Sequence, residues 1–88
     1  MPYKIPMEQI VRTSMQLGAA IRRHRRSAGL SQTQLGAKTN LRQATISALE
    51  RGAPGTELRT VIEVMTTLGI EMVVRDRSQP AGKIEDLF

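Results

Sequence analysis

Four residues that tolerate left-handed backbone, Gly29, Asn40, Gly52 and Gly69, divide the middle of the chain into short segments. Start signals stand opposite these stops. Thr13 with Gln16, and Ser31 with Gln34, have the spacing at which a hydroxyl and an amide cap a helix N-terminus reciprocally. Thr56 caps a fourth segment, with Glu57 favourably placed in its first turn. Gly52-Ala53-Pro54-Gly55 breaks the chain between the third segment and the fourth. The second segment is only about eight residues long and is joined to the third, about Arg42 to Arg51, by a tight turn at Asn40.

Apolar residues recur at helical intervals within these limits. Leu17, Ala20, Ile21, His24 and Ala28 share a face of the first helix, and Leu35 and Ala37 point inward from the second. Ile46 and Leu49 form a stripe on the third. Leu58, Val61, Ile62, Met65 and Leu68 form a wide face on the fourth. The period then changes. Ile70, Met72 and Val74 alternate with Glu71, Val73 and Arg75, which is a strand pattern. A lone strand cannot pair within this chain unless the N-terminal residues supply a partner, and its natural partner is the same strand of a second subunit. Pro2 and Pro6 argue against a long helix before Thr13, although Met7–Arg12 could form a short turn of one. The expected organisation is an N-terminal extension (1–12), a helical domain (13–69), a dimerisation strand (70–75) and a polar, flexible tail (76–88). The fold class is mainly α, with four or five helices and one C-terminal strand.

At 88 residues the core is small, so dimerisation would help it. Charge is unevenly placed. Through residue 59 there are ten Lys/Arg against three acids, and from residue 60 three against five, within a net +5. This suits a basic nucleic-acid face with a differently charged far end. There are no cysteines, so neither a disulfide framework nor a thiolate metal site is expected. No apolar run spans a bilayer, and MPYKIPMEQIVRTS lacks the apolar core of a signal peptide, so a cytoplasmic, nucleoid-associated location is expected. No cofactor, metal or small-molecule ligand is implied. The only aromatics are Tyr3 and Phe88, too few for stacking single-stranded RNA. No cysteine nucleophile, His-carboxylate motif or phosphate-cradling Gly-rich loop suggests an enzyme. His24 reads as a packed residue, and Met65 and Met72 as core or dimer packing.

Two short capped helices with a tight turn between them have helix-turn-helix geometry, in which the second lies in the major groove of DNA. The start of the third helix offers the right chemistry. Arg42 can bond bidentately to guanine, Gln43 to adenine, and Ala44 and the Thr45 methyl can touch a thymine methyl, with Ser47 one turn on. Gln32 and Thr33, opening the second helix, can meet a phosphate. Arg22, Arg23 and Arg26 have two readings, phosphate contacts or a solvated face.

Residues 17–70, 54 of the 88, resemble the helix-turn-helix family of phage lambda and 434 repressors and Cro, often called the XRE family. The resemblance rests on an ordered set: Leu17-Gly18, Ile21-Arg22, Arg25, Gly29-Leu30-Ser31-Gln32, Leu35, Gln43, Thr45-Ile46-Ser47, Glu50-Arg51-Gly52, Pro54 and Leu68-Gly69. It implies that Gln32 contacts a phosphate, that Gln43 reads a base, and that Arg25 pairs with Glu50. Arg42 departs from the Ser-like cap usual there, a loss of about 1 kcal/mol unless replaced. Within the family, Arg42-Gln43-Ala44-Thr45-Ile46-Ser47 is most similar to HipB-type antitoxins. That resemblance implies a homodimer lidded by paired strands through Ile70, Met72 and Val74. It also implies a palindromic double-stranded operator and a HipA-type serine/threonine kinase toxin as partners. Phage-type or restriction-controller repressors without a toxin, and a pure protein-binding adaptor, are the alternatives. The apolar tip Leu87-Phe88 either docks the partner, marks the chain for proteolysis, or has no role.

Overall fold

The computed structural model describes residues 8–77. Four helices carry the fold: α1 (Ser14–Ser27), α2 (Gln32–Thr39), α3 (Gln43–Glu50) and α4 (Leu58–Leu68). Each ends on one of the four expected stops, with φ between +59° and +75° at Gly29, Asn40, Gly52 and Gly69. The N–H after each stop reaches back five residues: Leu30 to Arg25, Leu41 to Gly36, Ala53 to Ala48 and Ile70 to Met65, at 2.8–3.1 Å. These bonds satisfy carbonyls that a helix end would otherwise leave open.

The N-termini match less uniformly. Ser31 and Gln34 close a reciprocal capping box on α2, with bonds of 3.0 and 2.8 Å. On α1 the Thr13 hydroxyl accepts from Gln16 N at 3.0 Å, but the Gln16 side-chain oxygen Oε1 takes the Arg12 N–H at 2.6 Å rather than that of Thr13. α4 starts one residue later than expected. Glu57, not Thr56, is its N-cap and makes no side-chain cap bond, because the Thr56 hydroxyl turns back to the Ala53 carbonyl. Arg42 and Arg51 flank α3 as its caps.

Ile21, Leu35, Ile46, Leu49, Val61, Val64 and Met65 form the core, with Leu17, Leu30, Leu41, Leu68 and Ile70 packed on its margin. α1 and α2 each pack against α3 and α4. Several expected core positions are corrected. Ala28 and Ala37 are exposed, because α1 turns Gly18 and Arg25 inward and α2 turns Gly36 and Thr39 inward. Leu58 and Ile62 are exposed and Val64 is fully buried. The inward stripe of α4 is Val61, Val64 and Met65, all buried, with Leu68 half-buried, the i, i+3, i+4, i+7 set, one position round from the expected face.

Two glycines permit close packing. A Cβ on Gly18 would stand 2.5 Å from the carbonyl oxygens of Leu49 and Glu50, so α1 crosses the end of α3 backbone to backbone. A Cβ on Gly36 would stand 2.6 Å from the Leu41 carbonyl oxygen, so the turn folds tightly over α2.

Residues 8–12 are not helical, and residues 70–77 run as non-helical chain with no strand partner among the described residues. The two segments lie together, since Arg75 Nη1 bonds Glu8 Oε1 at 2.9 Å. The tail beyond residue 77, with Leu87 and Phe88, and residues 1–7 lie outside the described residues.

Candidate nucleic-acid interface

The close crossing at Gly18 sets the site. Arg25 stands seven residues on, two turns along the same face of α1, and meets the side chain of Glu50. Its Nε donates to Glu50 Oε2 at 2.6 Å and its Nη2 to Oε1 at 3.0 Å, while Nη1 holds the Leu30 carbonyl at 2.7 Å. The side chains are 8% and 3% exposed. The expected ion pair is present, and it ties α1 to the end of α3 and to the turn before α2.

The same carboxylate reaches further. Gln32 Nε2 donates to Glu50 Oε1 at 3.0 Å, and Gln43 Nε2 donates to Gln32 Oε1 at 2.5 Å. Four side chains from three helices form one chain: Arg25, Glu50, Gln32, Gln43. Burial pushes the Glu50 pKa up, but hydrogen bonds from Arg25 and Gln32 and the charges of Arg25 and Arg22 outweigh it, leaving the net pKa below the usual value. The bond to Glu50, with its charge, raises Arg25 above its usual value against desolvation. The pair stays ionised at neutral pH.

An ionised carboxylate only accepts hydrogen bonds. Glu50 therefore draws the Gln32 NH₂ toward itself and turns the Gln32 carbonyl toward Gln43. That carbonyl claims one N–H of Gln43, leaving Gln43 with its oxygen and a second N–H. An acceptor and a donor side by side match the N6/N7 edge of adenine.

Gln43 and Ala44 are exposed on the first turn of α3, and Thr45 is half-buried. Arg42 is exposed and extended (φ −75°, ψ 149°) with no cap bond, so its guanidinium is not committed to the helix end. Thr33 is exposed on the first turn of α2, and Gln32 is half-buried, as its bonds require. Ser47 is half-buried, and its hydroxyl accepts from Arg51 Nη1 at 2.8 Å. Arg51 was not among the expected site residues; its i, i+4 spacing to Ser47 was the available signal. The link from Gln32 to Glu50 was missed as well. Arg22, Arg23 and Arg26 are exposed and gather with Arg51 around a shallow depression beside Glu50. Of the proposed strand residues, Ile70 packs at the core margin, whereas Met72 and Val74 are exposed.

Residues 16–77, more than half of the chain, match the family described as a helix-turn-helix domain. The chain belongs to this helix-turn-helix family. It is XRE-like in type and HipB-like in fold. Among solved structures, a chain of a HipA–HipB–O2–O3 complex is 30% identical, with a TM-score of 0.74, 81% of this chain covered and 100% of that one. A HipB–O4 20mer complex gives the same identity, TM-score and coverages. A variant HipB–O2 20mer complex is 29% identical with a TM-score of 0.75, covering 82% of this chain and 100% of that one. No curated protein matches the chain. Within the helix-turn-helix pair, α2 and α3 are the two short helices, α2 closed by a capping box and α3 without a side-chain cap, and their N-termini meet at Gln32 and Gln43. No helix among the described residues is long and apolar enough to cross a membrane.

Proposed function

We propose that this helix-turn-helix protein is a sequence-specific DNA-binding repressor, not an enzyme, that works as a homodimer on a palindromic double-stranded operator. The observation that carries the reading is the Gln43–Gln32 bond. It sets a base-reading amide on α3 beside the open N–H groups of α2, so one contact can read while the other holds a phosphate. Gln43 and Arg42 read bases, and Ala44 and Thr45 contact thymine methyls. Arg51, bonded to Ser47, extends the same face. Gln32 and Thr33 fix the register on the backbone. In the dimer the recognition helices lie about 34 Å apart, one turn of B-DNA. Residues 70–75 join the subunits through Ile70, Met72 and Val74.

Similarity to HipB, solved with HipA and with 20mers designated O2 and O4, supports a finer reading. In it the chain is an antitoxin that represses its own operon and neutralises a HipA-type kinase. Residues 13–69 are its DNA-binding domain, and the protein acts in the cytoplasm on the nucleoid. A pull-down of tagged protein from its native cells tests this, with DNA and protein both identified. Its own promoter together with a kinase-like protein is the expected catch. Promoter DNA alone would leave a repressor without a toxin. The kinase alone, with no DNA and no salt-dependent binding in vitro, would refute the repressor.

A further inference from the structure

Glu50 closes the C-terminal end of α3, two turns from Gln43 at the other end, and its side chain is buried beyond the reach of any DNA. Both of its oxygens are occupied. Arg25 Nε fills Oε2, and Arg25 Nη2 shares Oε1 with Gln32 Nε2. Two bonds from one planar guanidinium fix the plane of the carboxylate. The third bond is the only one directed toward the exposed surface, and it leads to Gln43 through Gln32.

We propose that Glu50, through Gln32, sets the hydrogen-bond polarity of Gln43 and thereby makes the site choose adenine over guanine. This inference rests on the base-reading role of Gln43 above and adds what decides the base. A glutamine amide has an acceptor at one end and two donors at the other, so a row of two can run in either sense. In the observed sense Gln32 donates to Glu50 and accepts from Gln43. Gln43 keeps its oxygen and one N–H, which fit the N6 donor and N7 acceptor of adenine. In the reverse sense Gln32 would donate to the oxygen of Gln43. Gln43 would then keep both N–H groups, which fit O6 and N7 of guanine, two acceptors.

A phosphate does not choose between the senses, because Gln32 has one N–H left over in each. The carboxylate does choose. Reversal would turn the Gln32 carbonyl onto Glu50 Oε1, setting acceptor against acceptor at a buried atom. Glu50 is therefore a positioning residue for specificity, and it acts without touching DNA.

The exchange Glu50→Gln keeps the shape and changes the polarity. Arg25, which only donates, claims the single oxygen of the new amide, so its NH₂ faces Gln32 and the row turns over. Fluorescence anisotropy with the full-length protein and its own promoter reads the result. Gln43→Ala first locates the base pair whose preference it relaxes. Wild type and variants are then compared with adenine and with guanine at that position in both half-sites. Wild type should favour adenine about 5- to 150-fold. Glu50→Gln should lower that ratio at least about 5-fold, by gaining on guanine relative to adenine and not on cytosine or thymine. In a Gln32→Ala background, Glu50→Gln should leave the ratio unmoved. Circular dichroism checks folding. Should Glu50→Gln unfold, Arg25→Met/Glu50→Leu removes the carboxylate with its partner and should lower the same ratio. A folded carboxylate variant that weakens every site equally would reduce Glu50 to a structural role and overturn the proposal. A change of ratio that persists without Gln32 would overturn the route. Unrelaxed preference at every base pair in Gln43→Ala would instead overturn the base-reading role itself.

Discussion

Removal of Arg25 strands the Glu50 carboxylate inside the protein. Glu50 is 3% exposed at its side chain and takes two of its three hydrogen bonds from Arg25. Arg25→Ala leaves the charge with Gln32 alone and releases the Leu30 carbonyl. Breaking a buried pair by removing one partner costs about 3–5 kcal/mol. A domain of this length has a total stability of about 4–13 kcal/mol, so the variant should lose about a quarter of that margin at the least and all of it at the most. Glu50→Ala should cost less, because the arginine can extend its charged end toward water. Arg25→Met/Glu50→Leu, which removes both charges and keeps the volume, should be much less damaging than Arg25→Ala. Urea unfolding followed by helical circular dichroism measures all four proteins, and the double-mutant cycle gives the coupling. A loss under about 1 kcal/mol for Arg25→Ala, at unchanged urea slope, would refute the reasoning.

Acid should act through the same pair. The folded-state pKa of Glu50 lies below its unfolded value, so its contribution is complete above the ordinary carboxylate range and is lost as pH falls through the lowered folded-state value. Stability measured from pH 7 downward should show that loss, and Arg25→Met/Glu50→Leu should not. Gly18→Ala would push a methyl against the carbonyl oxygens of Leu49 and Glu50, both backbone atoms, and should cost about 1–3 kcal/mol in the same urea assay. Arg42→Ser should move stability and binding in opposite directions. It supplies the missing α3 cap, a gain of about 1 kcal/mol by thermal or urea unfolding, and removes a groove arginine, lowering operator affinity.

Much of the fold was legible because its signals are local. Gly29, Asn40, Gly52 and Gly69 mark helix ends through backbone conformation alone, and Ser31 with Gln34 marks a start by spacing. Periodicity failed on α4, where Leu58 and Ile62 are as apolar as the buried Val64 and only packing against α1 and α2 selects the face. Thr56 carried a good cap side chain, but a bond to Ala53 diverted it. The site divides in the same way. Gln43 and Gln32 were visible as residues of the right chemistry at helix starts, and Arg25 with Glu50 through family resemblance. The Glu50–Gln32 bond was not visible, since it joins residues 18 apart that only the fold brings together. The partner of residues 70–75 cannot be read in one copy, because a strand's hydrogen bonds lie with its neighbour.

Fluorescence anisotropy with the protein's own promoter, at several salt concentrations, tests the central claim most directly. Wild type and Gln43→Ala are compared on the preferred site and on single-base-pair variants of it. The account predicts a salt-dependent wild-type affinity, a loss of about 5- to 150-fold for Gln43→Ala on the preferred site, and relaxed preference at one base pair per half-site, with the salt slope unchanged. Equal affinity of the two proteins across all sites, or a loss that is uniform with respect to sequence, would contradict a base-reading role for Gln43.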